Sequence, residues 1–255
     1  MLTIIIPMAG RGSRFKDVGY EYPKPFIDVA GVPMVERVRA NLPQADKLIV
    51  VALEEHAPLV REWLAKVNTA EKLNYPMGIH TTYIPEVTAG AACTVYGVME
   101  EVHPESELLV ANSDQWLDWS PAHFIDFCRR SGADGVIPCF RDTDPKWSFL
   151  LLRDNGTVRE TIEKVVVSEW ATCGLYYWQR AKACFSSIER MVKEDVQVNS
   201  EWYLVPSYNR LIRDDGAVIV PYPVPRMVGL GTPMDLEKAL IESHINGWTD
   251  SGWPA

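Results

Sequence analysis

Through about residue 140, apolar runs of strand length alternate with segments of helical spacing. Leu2 to Met8, Lys47 to Leu53, Ile79 to Ile84, Glu107 to Ala111 and Gly135 to Phe140 read as strands, several of them β-branched and apolar on both faces. Between them, Val32 to Leu42, His56 to Val67, Ala91 to Met99 and Pro121 to Arg130 read as helices; Pro33 sits acceptably in a first turn, and Gly90 opens the third of these helices. This alternation predicts a mostly parallel sheet covered on both faces, with ligands beyond the carboxyl ends of its strands.

The second half follows another rhythm. Phe149 to Leu152, Val158 to Val167 and Ala171 to Trp178 read as strands, with an Asp154-Asn-Gly156 turn between the first two. Helices are expected near 180–193 and 203–213, a strand near 217–221, and a closing helix from Pro233 to about Asn246. Local pairing of this kind predicts an antiparallel or mixed extension of the same sheet. No composition break divides the chain. The expectation is one α/β domain over 1–255: a Rossmann-like three-layer sandwich with a nucleotide-binding half (1–140) and an acceptor-binding half (141–255).

Charge narrows the function. The 255 residues carry a formal net charge of -9, the opposite of a nucleic-acid binder's balance, so nucleic acid is set aside as a partner. The 47% hydrophobic and 23% charged residues suit a globular core. Five cysteines lack any C-x-x-C pair or zinc-ligand histidine spacing and read as reduced, cytoplasmic thiols. The apolar run at the N-terminus is too short for a signal or a membrane span.

In an acidic chain, the few well-placed cations become informative. Met8, Ala9, Gly10, Arg11, Gly12, Ser13 and Arg14 follow the first strand, and Pro23-Lys24-Pro25 comes ten residues later. Glycines after a strand let backbone N–H groups turn toward an anion, and Arg11, Arg14 and Lys24 add fixed charge, a combination suited to triphosphate. A dinucleotide fingerprint would need glycine at Phe15, and a P-loop would need Gly-Lys-Ser/Thr, which is absent.

The G-x-G-S-R and P-K-P pair resembles the nucleotidyltransferases that make nucleotide sugars. Asn112-Ser-Asp-Gln115, Glu163-Lys164 with Ala171-Thr-Cys-Gly174, and Gly231-Thr-Pro-Met-Asp-Leu236 resemble that family's later segments, in order. The resemblance implies transfer of NMP from CTP, UTP or dTTP to a sugar 1-phosphate or similar small phosphorylated acceptor, with pyrophosphate released, to supply nucleotide sugars or capsule or lipopolysaccharide precursors. It implies that Arg14 and Lys24 stabilise phosphate charge and that Asp114 holds Mg²⁺. The nucleotide would be bound by the loop residues with Ser113, Glu86, Gly90 and Ala91, and the acceptor by Asn112, Trp147, Glu163, Lys164 and Gly174. A homodimer also comes from the resemblance alone.

Two departures stand out. Family members carry a second metal aspartate two residues before the C-terminal Gly-Thr, where this chain has Gly229. Asp118 and Asp235 are the weak substitutes, and Asp235 reads better as a helix cap. The family's base-reading glutamine is also missing; Glu86, as a hydrogen-bond acceptor, suits an exocyclic amine such as cytosine's. The competing readings are a glycosyltransferase of the related A-type fold, for which the D-x-D motif is lacking, and a nucleotide-binding regulatory protein without catalysis, which Gly229 alone favours.

Overall fold

The computed structural model describes residues 1–67 and 74–246, with side chains through residue 242. Five parallel-half strands begin the chain's main sheet. β1 (Leu2–Pro7) lies between β4 (Lys47–Leu53) and β6 (Glu107–Ala111), parallel to both, and β5 (Ile79–Ile84) extends the sheet beyond β4. β8 (Gly135–Arg141) belongs to the same sheet but reaches β6 only through β12 (Leu175–Trp178). Side chains alternate along these strands. Ile4, Ile6, Leu48, Val50 and Ala52 enter one buried cluster, and Ile5, Ile49 and Val51 enter the other. A strand apolar at every position thus fills two cores, which is why these runs lack a polar face.

The antiparallel extension is present. β12 runs antiparallel to β6 and β8; β11 (Trp170–Thr172) pairs antiparallel with β8 and with β9 (Ser148–Leu152), and β10 (Val158–Glu163) closes that edge. β13 (Ile219–Pro223) pairs parallel with β8. Among the described residues this gives one ten-stranded mixed sheet to which both halves contribute. The strand expected over Ala171 to Trp178 breaks at Gly174, whose φ of 74° turns the chain between β11 and β12. The strand expected to reach Val167 ends at Glu163, and the helix expected from 203 begins at Ser207.

Two short pairings were not read in the sequence. β2 (Asp28–Val29) pairs with β3 (Val32–Pro33), so the helix expected from Val32 starts at Met34. β7 (Gln115–Asp118) pairs antiparallel with β14 (Arg226–Gly229), with Gly229 opposite Gln115. This second pair lays the Gly229–Thr232 segment beside Asp114, and Leu230 N–H donates to the Asp114 carbonyl at 2.8 Å. A third cluster, formed by Phe15, Ile27, Val29, Met34, Val228, Leu230 and Leu236, packs beneath this end of the sheet.

Candidate active site

The site lies beyond the carboxyl ends of β1 and β6. Parallel neighbours in register (Ile5 opposite Val110) must release their following loops side by side. After β1, Met8 and Ala9 are still buried, while Gly10, Arg11, Ser13 and Arg14 are exposed. Among the described residues no hydrogen bond reaches the N–H of Gly10, Arg11 or Gly12, so those donors face outward. Gly12 has φ 60° and precedes a single helical turn, Ser13–Lys16. Phe15, only 1% exposed, fixes that turn into the third core cluster. The residue that breaks the dinucleotide pattern is therefore the anchor of the loop.

Pro23-Lys24-Pro25 folds back over this loop. A Cβ on Gly12 would lie 3.1 Å from the Lys24 Cβ, so the missing side chain admits the lysine backbone. Lys24 Nζ donates to Asp114 Oδ2 at 2.7 Å across 90 residues of sequence, and both side chains stay about a quarter exposed, at 23% and 24%. The phosphate loop, the lysine and the candidate metal carboxylate thus form one constellation.

The loop after β6 is tightly held. Asn112 N–H donates to the Gly174 carbonyl at 2.9 Å, and Ser113 is buried. Gln115, only 4% exposed, donates from Nε2 to the Asn112 carbonyl at 2.9 Å. That donation fixes Oε1 as the acceptor, and Oε1 is buried without a partner. A Cβ on Gly174 would sit 2.8 Å from Asn112 Nδ2 and 3.1 Å from Gln115 Oε1. Gly174 is therefore required both by its φ and by the amides beside it.

Glu163 and Lys164 stand at the end of β10. Glu163 is 8% exposed, its Oε2 accepts from Ser148 Oγ, and burial pushes its carboxyl above the ordinary range despite that bond and the Lys164 charge. Lys164 adopts φ 56°, its N–H donates to the Trp147 carbonyl at 3.1 Å, and its Nζ donates to Tyr203 Oη. Trp147 packs edge-on against Phe140 and keeps a buried, unpartnered Nε1.

Two of the expected nucleotide contacts, Gly90 and Ala91, are half-buried. A Cβ on Gly90 would lie 2.4 Å from the Trp202 carbonyl oxygen, so the bare face of Gly90 (φ 144°) is filled by the Trp202 backbone. Ala91 is half-buried against the second core cluster. Glu86 is exposed in the preceding loop.

Gly229 has a physical counterpart. A Cβ there would meet the tip of the Trp147 indole at 3.0 Å, so that ring lies where a side chain at 229 would begin. Asp235 Cγ comes within 3.9 Å of the same point, but its oxygens are engaged by Thr232 Oγ1 and Lys146 Nζ, each at 2.7 Å. Asp118 stands at the opposite end of the β7–β14 pair, across from Arg226. Among the described residues no group of three His, Cys, Asp or Glu side chains is placed to hold a metal. A single half-buried carboxylate, Asp114, suits a hard cation whose remaining oxygen ligands come from phosphate.

The family profile described as nucleotidyl transferase matches residues 3–204. The chain belongs to that family. Its similarity to curated relatives is more remote. The mannose-1-phosphate guanylyltransferase catalytic subunit beta of Drosophila pseudoobscura pseudoobscura is 25% identical over 208 residues, covering 78% of this chain and 55% of the relative. The mannose-1-phosphate guanylyltransferase regulatory subunit alpha of Xenopus tropicalis is 22% identical over 224 residues, covering 79% and 51%. The chain spans about half the length of these relatives. Among solved structures, the nucleoside-diphosphate-sugar pyrophosphorylase of Vibrio cholerae superposes with a TM-score of 0.78 at 25% identity, covering 93% of this chain and 99% of that one. The inositol-1-phosphate CTP transferase of T. maritima shares the fold at a TM-score of 0.74 and 15% identity, covering 97% of each. Both support the mixed α/β architecture read from the strand pattern.

Two residues of this site escaped the sequence reading. Gln115 was read only as part of a motif, and Tyr203 was not singled out. Neither had a local signal: the Tyr203 partner lies 39 residues away in sequence.

Proposed function

We propose that this nucleotidyl transferase family member joins the α-phosphate of a nucleoside triphosphate to a sugar 1-phosphate or similar small phosphorylated acceptor and releases pyrophosphate. The contact of Lys24 with Asp114 at 2.7 Å, folded over the Gly12 backbone, carries the reading. It gathers amide donors, a cation and a carboxylate where a triphosphate's charge must be met. Attack by an acceptor phosphate oxygen needs no protein nucleophile; positioning and charge neutralisation suffice.

The roles are those that the family resemblance implies. Arg14 and Lys24 meet charge on the α-phosphate and the departing pyrophosphate. Lys164 grips the acceptor's phosphate. Asp114 would hold Mg²⁺, which supplies charge neutralisation to phosphate oxygens when bound. For the base, an exposed carboxylate at Glu86 supports one with an exocyclic amine, which cytosine, guanine and adenine carry and uracil and thymine lack. The guanylyltransferase names of the relatives add weight to guanine, which widens the choice beyond CTP, UTP and dTTP.

The test is a panel of all NTPs with Mg²⁺ and phosphorylated acceptors, read as pyrophosphate release. Release is expected with GTP or CTP ahead of UTP and dTTP. Lys24→Ala and Asp114→Ala are each expected to lower it by about 10² or more. Release that survives both substitutions would sink the site assignment. Nucleotide binding without release for any pair would favour the regulatory reading, which Gly229 and the likeness to a protein named a regulatory subunit support.

A further inference from the structure

Lys164 is held by a device that its own strand does not supply. Among the described residues, the non-glycine positions with left-handed φ are Ala30, Lys164, Asp195, Asn199 and Ser200. Three of the five converge on one contact. Asn199 (φ 51°) and Ser200 (φ 62°) form a two-residue loop closed by reciprocal hydrogen bonds between Val198 and Glu201, each 3.0 Å. Asparagine tolerates such a loop; serine costs free energy there. Lys164 (φ 56°) carries the same kind of strain.

The loop delivers two adjacent residues to two different places. The Trp202 N–H donates to the Ala89 carbonyl at 3.0 Å, and the Trp202 carbonyl accepts from the Ala92 N–H at 3.1 Å, across the bare face of Gly90. The next residue, Tyr203, receives Lys164: Nζ donates to Oη and lies 4.3 Å from the ring centroid. Burial, then the Glu201 and Glu163 carboxylates, push the Tyr203 phenol up, while Arg14 of the phosphate loop pulls it back. The phenol stays protonated, and its oxygen receives the lysine.

We propose that Tyr203 is the positioning residue for Lys164, and that the Asn199–Tyr203 hairpin fixes the acceptor lysine relative to the Ala89–Ala92 loop. A free lysine side chain gives up rotamer freedom when it binds a phosphate. A partner that receives its N–H and covers it with a ring lowers the part of that freedom lost on phosphate binding. The strain at residues 164, 199 and 200 is offset by the contact it creates. This inference rests on the reading of Lys164 as an acceptor-phosphate ligand.

The experiment uses the full chain, with lysines ¹³C-methylated by reductive alkylation and the Lys164 and Lys24 signals assigned through Lys164→Arg and Lys24→Arg. Inorganic phosphate is the probe. In the unsubstituted protein both signals are expected to shift with phosphate. Tyr203→Leu should raise the phosphate concentration for half-maximal shift at Lys164 about fivefold, and Tyr203→Phe, which keeps the ring, by about half of that on a logarithmic scale. The Lys24 curve should not move. A Lys164 curve in Tyr203→Leu that superimposes on the unsubstituted one overturns the inference alone. Equal displacement of both curves assigns Tyr203 a general structural role and also overturns it. A Lys164 signal that ignores phosphate in the unsubstituted protein overturns the acceptor-site reading and this inference with it.

Discussion

Gly12, Gly90 and Gly174 show how one residue type serves three needs. Gly12 admits the Lys24 backbone, Gly174 clears two amide side chains, and Gly90 is pressed against the Trp202 peptide. The last is the most restrictive. Its φ of 144° and a Cβ position 2.4 Å from a backbone oxygen leave no flexible neighbour to yield. Gly90→Ala is expected to cost at least about 2 kcal/mol, measured as the shift in urea midpoint at unchanged slope. The family resemblance gives Gly90 a nucleotide role through its base-reading segment. The contact with Trp202 is 112 residues away in the chain and leaves no local trace.

At the scale of elements, the β7–β14 pair and the final helix bring the C-terminal segment to the site. Neither strand is legible in sequence: four residues each, with a buried glutamine opening the first and a glycine in the second, are too few to set an apolar period. The helix start is legible. Thr232 Oγ1 accepts from the Asp235 N–H at 3.1 Å and donates to Asp235 Oδ2 at 2.7 Å, so Thr232 caps the helix and Asp235, expected as the cap, sits in its first turn as the partner of that hydroxyl. The cap also aims Asp235 at Lys146, whose ammonium lies 4.6 Å from the Trp147 ring centroid. Thr232→Ala is expected to cost about 1 kcal/mol in denaturant unfolding. It should also broaden or shift the Trp147 indole signal in NMR spectra, because the Lys146 partner is released.

For the whole molecule, the buried Glu163 links stability to pH. Its carboxyl is raised in the folded protein because burial outweighs the Ser148 bond and the Lys164 charge. The folded state therefore holds this proton more tightly than the unfolded chain. Stability from this group is present below the ordinary carboxylate range and is lost as pH rises through the raised folded value. Relative to Glu163→Gln, the unsubstituted protein should lose stability across that window and then run parallel to the variant at higher pH. Urea midpoints at a series of pH values check this. A difference that grows on acidification would contradict the burial argument.

The sequence by itself determined the sheet's parallel half, the glycine loop after its first strand with the lysine that follows, and the order of the later segments. Those features are written in local chemistry: apolar runs that fill two cores, glycines after a strand, and a lysine between prolines. It also located Gly229 as a departure. Only the tertiary structure decided what fills that position, that Phe15 anchors the loop, that Gly90 faces a peptide, and that Tyr203 receives Lys164. Each of these is a contact between residues far apart in the chain. Such contacts depend on strand order and register, and the side-chain pattern of either segment alone does not carry them.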